Sequence, residues 1–314
     1  MMNNHLDVVT FGEPMAMFYA NEPGPLHEIF SFSKALAGAE TNVAVGLSRL
    51  GLNAGLVTKL GEDNFGKFIV EALKKEKIDT RSMTFTEQYS TGMLVKSKVI
   101  TGDPIVEYFR KSSAASKLNV SDFDADYFSS ARHMHMTSIS VALSQECHEF
   151  AVHAMKFMKD KDKTISFDPN LRPKLWPDTS TMVKTINDLS SNCDWFLPGI
   201  NEGRILTGYE TPEDIASFYL DRGISVVVIK LGAEGAYYQT VEQAGYVKGF
   251  PVTHVVDTVG AGDGFAVGVI SALLDGLSLE EATRRGNAIG ALAVMSPGDM
   301  DGLPTRDKLE SFMK

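Results

Sequence analysis

Short, nearly continuous apolar runs alternate along this chain with longer stretches whose apolar residues recur every three or four positions. The run "DVVTFG" (7–12) has the first texture and reads as a buried strand. "TNVAVGLSRLG" (41–51) has the second and reads as a helix closed by Gly51. The strand "AGLVTKLG" (54–61) and the helix "NFGKFIVEALKKEKI" (64–78) repeat the pair. From about Arg132 the alternation resumes, with strands "HMHMTSIS" (133–140), "TISFD" (164–168), "WFLPG" (195–199) and "SVVVIKLG" (225–232). Helices are expected near 144–159, 179–190 and 212–222. Near the C-terminus, β-branched "PVTHVV" (251–256) reads as a strand, and "AVGVISALLDG" (266–276) as a buried helix ended by Gly276. Such alternation predicts a mostly parallel sheet covered by helices on both faces, with ligands outside the carboxyl ends of its strands.

Two regions depart from that rhythm. Residues 15–36 contain "MAMFY" and "FSFSKAL", while "TGMLVKSKVI" (91–100) and "PIVEYFRKS" (104–112) flank a "TGD" turn. Both are strand-like and separate from the main alternation, so segments of about 13–36 and 91–112 are expected to form a small sheet outside the main layer.

With 314 residues, 44% of them hydrophobic, the chain can build one large α/β domain. Its formal net charge of −10 argues against a nucleic-acid partner. The two cysteines, Cys147 and Cys193, form no C-x-x-C pair, which fits a reducing cytoplasm and excludes a cysteine-based zinc site. "MMNNHLDVV" lacks the pattern of a signal peptide, and the apolar run 265–274 is too short to span a bilayer, so a cytoplasmic protein with no membrane partner is expected.

The chemistry concentrates in "DTVGAGDGF" (257–265), between the expected strand and the buried helix. Helix-start N–H groups there favour an anion. A dinucleotide fingerprint would need its third glycine at Phe265, and a phosphate loop of the G-x-x-x-x-G-K type would need a lysine that is absent. What remains is a glycine-lined anion cradle with the carboxylate of Asp263 beside it, suited to taking a proton or holding a metal. On these residues alone, a glycine-rich turn capped by Asp263 is the competing reading. Other candidates stand at strand ends: Arg172 in "DPNLR", the pair Tyr108 and Arg110 in "YFR", and the glycine turn of "KLGAEG" (230–235). A guanidinium beside a hydroxyl suits a polar, acidic small molecule, though a solvated polar face would look the same. His133 and His135 lie on one strand face without a third ligand and read as structural.

Taken together, these pieces resemble the PfkB, or ribokinase-like, carbohydrate kinases over essentially the whole chain. "DTVGAGDGFAVGVI" matches the family's C-terminal signature, and "AGAETNVAVGLSRLG" (37–51) resembles the N-terminal one, with Gly38, Asn42 and Ala44 in place but Ala37 and Glu40 departing from it. The Asn-x-x-Glu metal motif falls on "GINE" (199–202), keeping Glu202 but placing Gly199 where asparagine is usual. The resemblance implies a single domain over 1–314, a three-layer ribokinase-like α/β sandwich with a small β lid that often also serves as a dimer interface. It implies ATP-dependent phosphorylation of a sugar-like hydroxyl, with Asp263 as base and the backbone of Gly260, Ala261 and Gly262 as anion hole. Gly38, Asn42, Tyr108, Arg110, Arg172 and Asp299 would contact the sugar. Asn170, Lys230, Gly232, Gly235 and Asn287, with Gly260 and Gly262, would line the nucleotide. Mg²⁺ would accompany ATP, with Glu202 acting through water, and a place for a monovalent cation stays open. "GAE", "YFRKSSAASKL" and "DPNLRPKLW" together most resemble the members that phosphorylate 2-keto-3-deoxygluconate. Fructokinase-like members carry similar stretches, so a neutral ketohexose is the alternative, and an inactive sugar-binding regulator a more distant one.

Overall fold

The computed structural model describes residues 5–99, 104–296 and 298–314. The first half contains strands β1 (Leu6–Phe11), β2 (Met15–Pro23), β3 (Phe32–Ala37), β4 (Ala54–Gly61), β5 (Met83–Thr86), β6 (Met93–Lys98) and β7 (Val106–Phe109), with helices α1 (Ala39–Arg49), α2 (Asn64–Lys75) and α3 (Ala125–Ser129). Then follow β8 (Ala131–Thr137), α4 (Ser138–Val141), α5 (Gln145–Asp160), β9 (Thr164–Asp168), α6 (Thr179–Ser190), β10 (Trp195–Phe196), α7 (Ile200–Thr207), α8 (Pro212–Leu220) and β11 (Val226–Lys230). The chain ends with β12 (Gly235–Gln239), β13 (Ala244–Lys248), α9 (Ala261–Leu274), α10 (Leu279–Val294) and α11 (Arg306–Met313).

Nine strands form the main sheet in the order β13-β12-β11-β10-β9-β8-β1-β4-β5. It is parallel from β11 through β5, while β12 and β13 add an antiparallel edge. Period-two alternation divides the core. Val9 and Phe11 of β1 and Val227 and Ile229 of β11 face Phe150 of α5, Ile186 of α6 and Tyr219 of α8. Val8 and Val228 face the other way, toward Leu47 of α1, Val267 of α9 and Ile289 of α10. The result is a three-layer sandwich, as expected. No described helix is long and apolar enough to cross a membrane.

Helix α9 is buried over Asp263–Ala272, and its neighbours come to backbone distance. A Cβ on Gly46 would stand 2.5 Å from Val267 Cγ2, and one on Gly268 would stand 2.5 Å from Gly286 Cα. The second, smaller sheet has the order β3-β2-β6-β7, with antiparallel outer pairs and a parallel β2–β6 centre. The "TGD" turn expected between its last two strands lies outside the described residues.

Three local expectations fail for physical reasons. Strand β8 stops at Thr137, because the Thr137 hydroxyl accepts from Ile139 N and caps α4 where "SIS" was read as strand. "PVTHVV" forms no strand; Val255 and Val256 are exposed, and β-branched composition without a partner edge does not make one. The strand at Trp195 lasts two residues, and α7 follows it, its start set by the Glu202 carboxylate accepting from Gly199 N.

Candidate active site

The carboxyl ends of the parallel strands converge on the start of α9, where such sheets bind ligands. Asp168 ends β9, Lys230 ends β11, and Glu13 follows β1. Gly260 precedes α9 with φ 81°, in the left-handed region, and a Cβ there would lie 2.5 Å from the Asp299 carbonyl oxygen. This glycine lets the chain turn into the helix with first-turn N–H groups facing outward. Gly262 has open space instead: its Cβ would meet only Lys230 Nζ, at 3.6 Å.

Asp263 is 8% exposed. Asn42 Nδ2 donates to its Oδ2 at 2.8 Å, and Asn170 Nδ2 donates to its Oδ1 at 3.2 Å. Asn170 adopts φ 38°, and its N–H donates to Asp168 Oδ1 at 3.0 Å. Burial pushes the Asp263 carboxyl up to about 7, against the Asn42 hydrogen bond and with help from the Asp168 charge. Lys230 Nζ pairs with Asp168 Oδ2 at 2.6 Å. Burial pulls Lys230 down, but the carboxylates of Asp168 and Glu202 more than offset it and keep the ammonium charged.

Two cavities meet here. A polar one of about 330 Å³ is lined by Gly38, Asn42, Tyr108, Arg110, Arg172 and Asp299, with Asp263 on its wall. All the residues expected to contact a sugar are therefore brought together. An apolar one of about 390 Å³ is lined by Gly232, Gly235, Phe250, Phe265, Asn287 and Val294. Lys230, Thr258 and Gly262 border both. Asn287 Nδ2 donates to the carbonyls of Val247 and Lys248 at 3.0 and 3.2 Å, closing one wall of the apolar cavity. Asn170 and Gly260, expected beside the nucleotide, line the polar cavity instead, and Ala261 lines the apolar one.

Several working residues escape a reading of the sequence. Glu13 is buried, forms an ion pair with Arg110 and accepts from the Ser113 hydroxyl. Burial lifts its carboxyl, and Arg110 and Ser113 oppose that lift. Arg110 follows β7 rather than sitting within it, and its buried Nε has no hydrogen-bond partner. Its guanidinium lies 5.7 Å from the Tyr108 ring centre. Glu40 is also buried and accepts from Thr137 Oγ1 and Ser140 Oγ, both at 2.6 Å. Arg172 Nη1 donates to Leu171 O and leaves the rest of the fork to the cavity rim. No local pattern announces Glu13, and Glu40 shows in the sequence only as a departure from the family signature; each acquires its partners from distant segments.

His133 and His135 are structural. Both are buried; Ser166 Oγ stands 2.8 Å from a ring nitrogen of each, and Thr164 Oγ1 is 2.8 Å from His133. Burial lowers both histidines, His135 to about 3, so neither is a cation near neutral pH. Cys147 and Cys193 are buried free thiols.

Among the described residues, no cluster of three His, Cys, Asp or Glu side chains is placed to hold a metal. Glu202 accepts from Leu171 N at 2.8 Å with one carboxylate oxygen and from Gly199 N at 2.7 Å with the other. Each oxygen keeps a second lone pair, able to accept from a metal's water or to meet a metal directly. With glycine at 199, it is the backbone N–H that fixes this carboxylate.

Residues 5–306 match the pfkB family of carbohydrate kinases. The 2-dehydro-3-deoxygluconokinase of Bacillus subtilis is 60% identical over 309 residues, 98% of this chain and 95% of that protein. The probable fructokinase-2 of Arabidopsis thaliana is 32% identical over 316 residues, 98% of this chain and 95% of its own. A PfkB protein crystal structure from Polaromonas superposes with TM-score 0.91 at 49% identity, covering 98% and 99% of the two chains. An E. coli protein solved with ATP and Mg²⁺ also reaches TM-score 0.91, at 27% identity and the same coverage. This chain therefore belongs to the pfkB family of carbohydrate kinases.

Proposed function

We propose that this protein phosphorylates the terminal hydroxyl of 2-keto-3-deoxygluconate from ATP, giving 2-keto-3-deoxy-6-phosphogluconate. The observation that carries the chemistry is the position of Asp263, a buried carboxylate at a helix start on the wall of the polar cavity, one residue after Gly262, which borders both cavities. The apolar cavity suits the adenosine end of ATP, and the polar cavity the acceptor. The acceptor hydroxyl gives its proton to Asp263 as its oxygen bonds to the γ-phosphorus. The bond from that phosphorus to the β-γ bridging oxygen breaks, and ADP departs. A carboxylate with proton affinity near neutrality is matched to that transfer. Asn42 and Asn170 aim it. The N–H groups of Gly260 and Gly262 and the Lys230 ammonium face the charge that spreads over the transferring group, while the Ala261 N–H donates to Thr258 O at 3.4 Å. Mg²⁺ carried by ATP would neutralise its phosphates, and Glu202 would order the metal's water.

The acid assignment rests on Arg110 and Arg172 at one cavity, since guanidinium forks bind carboxylates well. The similarity to the Bacillus subtilis protein supports it. One observation favours a neutral ketohexose instead: Arg110 already pairs with Glu13, which compensates its charge. The small sheet acts as the lid over the polar cavity. It also presents exposed Tyr19 and Phe109, which fit pairing between copies; light scattering on purified protein measures that. An ADP-release assay decides the substrate. 2-Keto-3-deoxygluconate should exceed fructose in kcat/KM by at least tenfold, and parity or reversal overturns the acid assignment.

A further inference from the structure

A buried charge cluster lies under the small sheet and shares only Asp299 with the lining of the polar cavity. Lys96 of β6 is 5% exposed, and its Nζ stands 2.6 Å from Asp257 Oδ2 and 3.0 Å from Asp299 Oδ1. Both carboxylates belong to segments that build the anion-binding turn. Asp257 Oδ1 accepts from Val259 N at 3.0 Å, one residue before Gly260. The backbone of Asp299 packs against Gly260 so closely that a Cβ there would touch it. Arg49 braces the same segment from behind, donating to Met300 O at 2.7 Å and Leu303 O at 3.0 Å.

Two carboxylates pressed together in a buried place must share either a proton or a cation. A small inorganic cation is one solution, and the family resemblance leaves a place for one. The position between these two carboxylates is already taken by an ammonium tethered to the small sheet.

We infer that Lys96 supplies from within the chain the monovalent positive charge that holds the anion-binding turn, so that no free monovalent cation is needed between Asp257 and Asp299. Lys96 is a positioning residue: it reaches neither substrate and acts through Asp257 and Asp299 on the turn at Gly260. Burial works against its charge, and Asp299 and Asp257 more than offset this. The same contacts bind the small sheet to the phosphoryl-binding turn. Asp299, expected to serve the acceptor directly, has one oxygen committed to this bridge.

The inference rests on the kinase reading, and the test separates the two. Wild-type ADP release is measured in potassium, ammonium and tetramethylammonium chloride at equal ionic strength. Activity should change less than twofold among them; dependence on potassium or ammonium above fivefold overturns the inference while leaving the kinase reading intact. Lys96→Met should lose kcat by more than tenfold in tetramethylammonium and recover at least fivefold in ammonium or potassium, with KM for ATP within about twofold. A folded Lys96→Met with wild-type kcat, or one that no cation rescues, also overturns it. Melting temperature gives a readout that needs no turnover. Potassium and ammonium should raise that of Lys96→Met over tetramethylammonium and leave wild type unmoved, and equal responses count against the inference. If Lys96→Met does not fold, Asp257→Asn, which keeps the Asp299 pair, carries the test. Its kcat should fall at least fivefold with acceptor KM unchanged, and a wild-type kcat refutes the coupling to the turn.

Discussion

The two cavities that meet at Gly262 are built on different physics. The apolar one is walled by Phe250, Phe265 and Val294, and its few polar contributions, such as Asn287, go into holding its own walls together. The polar one carries Asp168, Asp263, Glu13 and Arg110, each charge partnered by another segment of the chain. Burial of a flat apolar group demands little beyond shape, whereas buried charges must each be met by a partner at hydrogen-bond distance. Affinity for a common donor can therefore reside in a forgiving wall. Choice of acceptor, and the reaction itself, depend on a network that tolerates little change.

The sharpest way to break this contrast is at Asp263. Asp263→Asn should lower kcat by about 10²–10⁴-fold, because the amide keeps the Asn42 side of the network and cannot accept the proton. Nucleotide affinity, measured by calorimetry with an ATP analogue, should stay within a few fold. A folded variant keeping more than about a tenth of wild-type kcat would remove Asp263 from the base role.

Next comes the acceptor's acid group. Removing one partner of a buried charged hydrogen bond costs about 2–5 kcal/mol, or roughly 30-fold to several thousand-fold in kcat/KM. Arg110→Ala should lose that much on 2-keto-3-deoxygluconate and far less on fructose, and Arg172→Ala, at the exposed rim, should lose less with the same preference. Arg110→Ala also strands Glu13, whose uncompensated charge on the cavity wall would repel the acid alone, so the ratio is read with Glu13→Gln in the background. Lysine in place of either arginine should restore only part, since it lacks the planar fork. Equal losses on both sugars would favour the neutral-sugar reading.

Gly262 belongs to both cavities, so substitution there should injure the transfer step without injuring the fold. Nothing but Lys230 Nζ stands near the added Cβ. Gly262→Val should leave melting nearly unchanged and reduce kcat by about 10²-fold through misplacement of the reacting groups. A normal kcat would contradict the cradle.

Acidity offers a milder probe. A base raised to about 7 gives a kcat/KM that climbs about tenfold per unit below that value and levels above it. Stability runs the other way. The folded state holds the Asp263 proton more tightly than the unfolded chain does, so stability falls as pH rises from about 4 through about 7. Asp263→Asn should flatten that fall in a pH series of melting curves; an unchanged slope would place the titration elsewhere.

The smallest effect is expected on the forgiving side. Asn287→Ala loses two hydrogen bonds to the end of β13, about 1 kcal/mol in net terms, and should raise KM for ATP by about fivefold with acceptor KM unchanged. A change in acceptor KM of the same size would mean that the two cavities are not independent.

The alternation of periods made the parallel sheet and its helices legible, because both faces of β1 and β11 must be apolar and the helices amphipathic. The turn at Gly260–Asp263 was legible for a local reason: glycines and a carboxylate in consecutive positions leave few alternatives. Glu13, Lys96 and the contacts of Glu40 were not. Their meaning arises only when residues about 100 or more positions away arrive beside them, as Lys96 meets Asp257 and Asp299. "PVTHVV" misled because β-branched residues report a preference that only a neighbouring strand can satisfy. Helix α7 was missed because its start depends on a backbone cap at Gly199, invisible to hydrophobic spacing.

The close approach of α1, α9 and α10 has a consequence for how this sequence can drift over generations. Gly46, Gly268 and Gly286 leave no room for a methyl group, and the helix they pin carries Asp263 at its first turn. A substitution at any of them moves the whole rod, and the carboxylate with it, although none touches a substrate. A library randomised at these three positions and selected for turnover should return glycine at Gly268 and Gly286, while one selected only for soluble expression should also admit alanine. The permitted vocabulary at such sites would record the demands of alignment rather than of chemistry.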